Sequence, residues 1–186
     1  MNEEEKVILV DENDDMVGTM GKMEAHKQGL LHRAFSIFIF NSKGKMLLQQ
    51  RAITKYHSGG LWTNACCSHP RPGESTEDAA ARRLKEELGF ETPLRKIFDF
   101  TYHALVENGL TEYEFDHVFF GKYSGEINFN TNEVQEICFR SLDDIESSLQ
   151  THPHKFTSWF HIAFPKVNEW MELHEYRSDA SKASDR

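Results

Sequence analysis

At 186 residues the chain is one domain's worth of sequence, long enough to bury about two-thirds of the surface its unfolded form exposes. Its 39% hydrophobic and 27% charged residues fit a globular protein, no apolar run approaches the roughly 18 residues that span a bilayer, and a net charge of -9 argues against nucleic acid or an anionic membrane as main partner. Three cysteines, Cys66 and Cys67 adjacent, exclude a disulfide framework, and the acidic start MNEEEKVILVDEND lacks the basic region of a secretory signal, so a cytoplasmic location is expected.

No repeat, linker or low-complexity block divides the chain, so one domain is expected over residues 1–186, with SDASKASDR at the end as a polar, frayed tail. Apolar, β-rich runs bounded by turn formers predict strands over VILVDE, AFSIFIF, KMLLQQR, LWTNACC, IFDFTYHALV, EYEFDHVFFGKY and ICFRS. The stretch between His26 and His32 reads as a loop. In ESTEDAAARRLKEELG, Ala79, Leu84 and Leu88 fall at helical spacing between a Ser-Thr cap region and Gly89, which predicts a helix. A shorter helix is predicted over Leu142 to Leu149, and FTSWFHIAFPKVNEWMELHEY, with Pro165 inside, predicts one kinked helix or two short ones. Many strands, a central helix and terminal helices give an α/β fold, a mixed sheet sandwiched between helices.

Within LWTNACCSHPRPGES the period of a strand puts Thr63, Ala65, Cys67 and His69 on one face and Cys66 and Ser68 on the other. A buried free cysteine is usually a small core residue, so Cys67 alone says little. Further on, Glu112, Glu114 and Asp116 alternate along one strand, where a solvated face with Tyr113 and Phe115 inside is the plain alternative to a site. Arg83 and Glu87 stand four apart on one helix face, a spacing equally suited to a surface ion pair.

The stretch HPRPGESTEDAAARRLKEELGF resembles the Nudix box, a loop and metal-binding helix, with Glu74, Arg82, Leu84, Glu86, Glu87 and Gly89 on its spacing. It departs from the box at Ser68, where a Gly opens it, and at Arg83, where Nudix hydrolases carry a metal-binding Glu. The run Trp-Thr-Asn, two residues, Cys, one residue, His-Pro, then Gly-Glu-Ser, is similar to that of type 1 isopentenyl-diphosphate isomerases. That resemblance extends over about nine-tenths of the chain, through GKMEAHKQGLLHRAFSIFIFN, QQRAITKY, FTYHALVENGLTEYEFDHVF and FTSWF.

The resemblance implies a Nudix-like α/β/α sandwich and an isomerase that interconverts isopentenyl and dimethylallyl diphosphate by a 1,3 proton shift through a tertiary carbocation. It assigns catalysis to Cys67, Glu114, Tyr102 and Trp159, with Cys67 rather than Cys66 as the reactive thiol. It assigns the diphosphate to Lys22, Arg51, Lys55 and Arg83, and a Mg²⁺ shared with the diphosphate to Glu87. A further divalent metal, Mn²⁺, Mg²⁺ or Zn²⁺, falls to His26, His32, His69, Glu112 and Glu114, with Cys67 among the metal residues. No flavin, membrane or nucleic-acid partner is expected, and the expected state is a monomer.

The chemistry suits these residue types. An alkene is a poor base, so its acid must be strong, close and shielded from water, and a second group must act across the substrate plane. By the resemblance, Cys67 and Glu114 are expected to be those two groups, in an order the sequence leaves open. A Nudix diphosphate hydrolase is the alternative, and Arg83 counts against it; a non-catalytic metal-binding domain is a third.

Overall fold

The computed structural model describes residues 5–176, so the polar tail SDASKASDR lies outside the described residues. In chain order it runs β1 (Lys6–Val10), β2 (Met16–Gly21), α1 (Lys22–Gln28), β3 (His32–Phe40), β4 (Met46–Arg51), β5 (Trp62–Thr63) and β6 (Cys66–Ser68). There follow α2 (Thr76–Leu88), β7 (Leu94–Leu105), β8 (Thr111–Lys122), β9 (Val134–Arg140), α3 (Leu142–Thr151) and α4 (Ser158–Met171).

Strand β3 is the axis of the sheet. It runs parallel to β8 from His32 opposite Glu114 to Phe40 opposite Lys122, and antiparallel to β1, β4 and β6. Strands β7 and β8 form a long antiparallel hairpin, and β9 closes on β4. Alternation along β3 feeds two cores. Phe35, Ile37 and Ile39 pack with Ala79, Ala80, Leu84 and Leu88 of α2, while Phe38 and Phe40 pack with Leu142 and Ile145 of α3 and Phe160, Phe164 and Val167 of α4. Each fully buried Phe or Leu in these layers contributes about 1.5–3 kcal/mol by leaving water. The result is the expected mixed sheet between helical layers.

Helix α2 begins where Ser75 Oγ accepts from Asp78 N at 3.1 Å and ends at Gly89, whose φ of 73° is left-handed. Strand β2, helix α1 and the LWTNACC run differ from expectation. Strand β2 is an edge strand with two glycines and little alternation, and α1 has only seven residues, too few to display a helical period. The LWTNACC run divides into β5 and β6, because the Asn64 side chain donates to the carbonyls of Ile37 at 3.1 Å and Cys66 at 3.0 Å. Helix α4 runs unbroken through Pro165, which sits on its exposed side while Phe160, Ala163, Phe164 and Val167 anchor both halves. None of the described helices is long and apolar enough to cross a membrane.

Candidate active site

Register between three strands assembles the site. Glu114 on β8 lies opposite His32 on β3 and opposite Tyr102 on β7, and Ser36 on β3 lies opposite Cys67 on β6. The period of two on β8 turns Glu112, Glu114 and Asp116 inward, at 4%, 6% and 1% exposed, while Tyr113 and Phe115 are half-buried. That is the reverse of a solvated strand face. Burying three carboxyls on one strand is costly unless partners compensate them.

Imidazoles supply those partners. His26 projects from α1, not from a loop as its sequence neighbourhood suggests, and the helix is stopped by Gly29 at φ 63° with its N–H on Ala25 O. His26 Nδ1–H donates to Lys22 O at 2.7 Å, and His32 Nδ1–H donates to Leu30 O at 2.8 Å. Those bonds aim both Nε2 atoms at Glu114 Oε1, 4.0 Å away for His26 and 3.4 Å for His32, and His69 Nε2 reaches the same oxygen at 2.9 Å. Donor atoms of His26, His32, His69 and Glu114 all lie within 4.8 Å of one another.

Burial lowers His26 to about 4 and His69 to about 3, so both rings are neutral, the form that offers a lone pair. Burial alone would raise Glu114, but the adjoining imidazoles of His32 and His69 outweigh it and hold that carboxyl well below the usual range. Glu112 is pushed the other way, by burial and then by the charge of Glu114. The Nε2 atoms of His26 and His32 are buried without a hydrogen-bond partner. Orphaned nitrogens around an ionised carboxylate fit a divalent cation.

Opposite this cluster stands the thiol. Cys67 Sγ donates to Asn64 Oδ1 at 3.1 Å, accepts from Trp159 Nε1 at 3.1 Å and lies 3.4 Å from Ser36 Oγ. Burial pushes the thiol up, so it keeps its proton. Cys66 faces the other way, into the core under α2. One cleft is lined by Arg51, Cys67, His69, Tyr102, Glu112, Glu114 and Trp159. The guanidinium of Arg51 sits 5.3 Å from the Trp159 ring centroid.

The other expected cations stand outside that lining. Lys22 pairs with Glu5 at 3.0 Å and lies 4.8 Å from the Tyr56 ring centroid. Lys55 pairs with Glu133, and Arg83 joins Glu87, Glu86 at 2.8 Å and Glu133 at 3.6 Å. The expected i, i+4 pair of Arg83 with Glu87 is therefore formed, but on a half-buried face, with Gln49 Nε2 donating to Glu87 at 3.1 Å. Arg82 grips Glu74 through two bonds of 2.7 and 2.9 Å, fixing the loop ahead of α2.

Cys67 and Glu87 both stand outside the two groups of clustered donor atoms, as a separate Mg²⁺ site at Glu87 requires, and Glu112 joins His26 in the second group. The sequence singled out neither Asn64 nor Ser36, and marked Asp116 only as part of an alternating acidic face. Asn64 is part of the Trp-Thr-Asn run, and Asp116, which accepts from Ser36 Oγ at 2.7 Å, follows Glu114 at the strand period. Nor does any pattern mark His57.

The sheet, the capped helix α2 and the Glu74–Arg82 clasp define a Nudix fold, and residues 30–160 match the NUDIX domain family. Solved structures agree on the fold: a protein of Deinococcus radiodurans has a TM-score of 0.67 at 20% identity, covering 80% of this chain and 90% of that one. A MutT protein from Methanosarcina mazei has a TM-score of 0.62 at 20% identity, covering 75% of this chain and 94% of its own. The chain belongs to the Nudix family and, within it, to the isopentenyl-diphosphate Delta-isomerases. It is 47% identical over 175 residues to isopentenyl-diphosphate Delta-isomerase 2 of Photorhabdus laumondii subsp. laumondii, covering 91% of this chain and 99% of the relative. It is 46% identical over 177 residues to isopentenyl-diphosphate Delta-isomerase of Pectobacterium atrosepticum, covering 95% and 98%.

Proposed function

We propose that this protein interconverts isopentenyl and dimethylallyl diphosphate by moving a proton onto one end of the allylic system and removing one from the other. The observation that carries this reading is a thiol, Cys67, and a carboxylate, Glu114, lining one cleft. One group protonates C4 of the alkene, leaving a tertiary cation at C3, and the other takes a proton from C2. No atom is gained or lost overall.

Tyr102 holds the Glu114 carboxyl in place and influences which protonation state it keeps. Trp159 offers an indole to the cationic carbon, and cation–π attraction of about 2 kcal/mol when desolvated helps without trapping the intermediate. His26, His32, His69, Glu112 and Glu114 would hold a divalent cation, Mn²⁺, Mg²⁺ or Zn²⁺, which when bound favours the ionised form of Glu114. Lys22, Arg51, Lys55 and Arg83 bind the diphosphate, and Glu87 binds the Mg²⁺ that accompanies it. The placing of Lys22, Lys55, Arg83 and Glu87 outside the cleft, with Arg51 reaching its lining, supports the division: the anionic end is held at the rim while the hydrocarbon enters the dry end.

Hydrolysis of a diphosphate, the other Nudix chemistry, finds a cation at Arg83 where it needs a carboxylate. Turnover in deuterium oxide tests the proposal. Reversible isomerisation places deuterium at both C2 and C4 of the recovered diphosphates. Label at neither carbon would sink it.

A further inference from the structure

Asn64 lies between β5 and β6, fully buried and behind the lining of the cleft. Its carboxamide is divided between two tasks. Nδ2 donates to Ile37 O at 3.1 Å and to Cys66 O at 3.0 Å, so both amide hydrogens are engaged by backbone and the turn is tied to β3. Turning the amide over would set its oxygen against two carbonyl oxygens, so Oδ1 must face the other way. There it lies 2.9 Å from Thr63 Oγ1, 3.1 Å from Cys67 Sγ and 3.2 Å from Trp159 Nε1.

Three donors compete for the two lone pairs of that oxygen. Thr157 Oγ1 donates to Thr63 Oγ1 at 2.9 Å, and Thr63 passes its own hydrogen to Asn64. That leaves one lone pair for the thiol and the indole. Trp159 Nε1 also has Cys67 Sγ at 3.1 Å, so both are satisfied when the indole donates to sulfur and the thiol donates to Asn64. Thr157 stands at the N-cap of α4, where a hydroxyl ordinarily accepts from the first N–H groups of the helix, yet its side chain makes no such bond. Its hydroxyl serves Thr63 instead, and Trp159 follows in the first turn of the same helix. The start of α4 is thus fastened to Asn64 from two sides.

We infer that Asn64 is a positioning residue for the proposed reaction, an inference that rests on the roles proposed for Cys67 and Trp159. Its amide oxygen holds the Cys67 S–H and the Trp159 indole in one arrangement, so that the thiol and the ring meeting the cationic carbon reach the substrate as a unit. A purely structural Asn64 would act through Nδ2 alone.

The thiol itself reports the contact. Infrared spectra of the purified full chain without substrate show the S–H stretches of its three cysteines, and the difference from Cys67→Ala identifies the Cys67 band. A thiol that donates to oxygen stretches at lower frequency than a free one. The parent band should be low, Asn64→Ala should move it up, and Ser36→Ala, which removes the other oxygen near sulfur, should leave it in place. Asn64→Asp keeps an oxygen there but loses both Nδ2 donors, so it should lower Tm while the band stays low. In the isomerisation assay Asn64→Ala should lower kcat on the order of 10²-fold, the loss a displacement of about 1 Å brings, with KM near the parent's. Asn64→Asp should turn over faster than Asn64→Ala. A parent band at the free-thiol frequency, or one that moves with Ser36→Ala, would overturn the inference even where Asn64→Ala does not fold. So would parent kcat in Asn64→Ala. The spectra need no turnover, so a parent that fails to isomerise refutes the proposed reaction separately from the hydrogen-bond result.

Discussion

Tyr102 Oη lies 2.7 Å from Glu114 Oε2 and 3.2 Å from Glu112 Oε2, so one phenol spans the two carboxyls that sit two residues apart on β8. It holds Glu114 through a hydrogen bond and brings no imidazole or carboxylate of its own. Tyr102→Phe should therefore keep bound metal and lower kcat by roughly 10- to 100-fold, the worth of a hydrogen bond to a charged group. Metal analysis beside steady-state kinetics checks this. Parent turnover in the metal-replete variant would mean Tyr102 does not tune the carboxyl.

Adjacent cysteines offer an internal control. Cys67 Sγ meets Asn64, Trp159 and Ser36 at the cleft, while Cys66 is buried under α2. Cys67→Ala should lower turnover by at least the 10² to 10⁴ typical of a lost general acid or base, and Cys66→Ala should leave kcat near the parent value. Equal losses in two folded variants would contradict the assignment.

What could be read from the chain without its structure follows from where local chemistry is self-sufficient. Helix α2 announces itself because Ser75, Gly89 and the spacing of Ala79, Leu84 and Leu88 are all local signals. The inward turn of Glu112 and Glu114 needed more: their alternation equally suits a solvated face, and only pairing of β8 with β3 and β7 buries them. Helix α1 is too short to show a period, so His26 looked like a loop residue. His57 lies in an aperiodic loop whose shape is set by Glu107 and Asn108, about fifty residues away in sequence and invisible to any local pattern.

Glu87 accepts from Arg83 and from Gln49 Nε2 and stands apart from the His-Glu cluster. Glu87→Gln should weaken binding of Mg²⁺ with the diphosphate, raising KM, and leave the cluster's metal in place. Metal content by mass spectrometry of the purified variant decides the matter. Loss of that metal would show the two sites to be coupled.

Stability should be most sensitive where β3 meets α4. Phe160 is fully buried, stacked with Phe38 at 6.3 Å and with Phe156 at 5.6 Å between ring centroids. Phe160→Ala should cost about 3–5 kcal/mol. That corresponds to a Tm lower by roughly 6–20 °C for a chain of this size, measurable by calorimetry. A Tm within a degree of the parent would mean the α4 layer contributes little.

The central claim, that the buried thiol and carboxylate move a double bond rather than cleave an anhydride, is tested most directly by product. Purified protein is incubated with isopentenyl diphosphate and Mg²⁺, and the mixture is followed by nuclear magnetic resonance for dimethylallyl diphosphate and by colorimetry for phosphate. The account predicts the allylic isomer approaching equilibrium with no phosphate released. Phosphate accumulating while the double bond stays in place would contradict it.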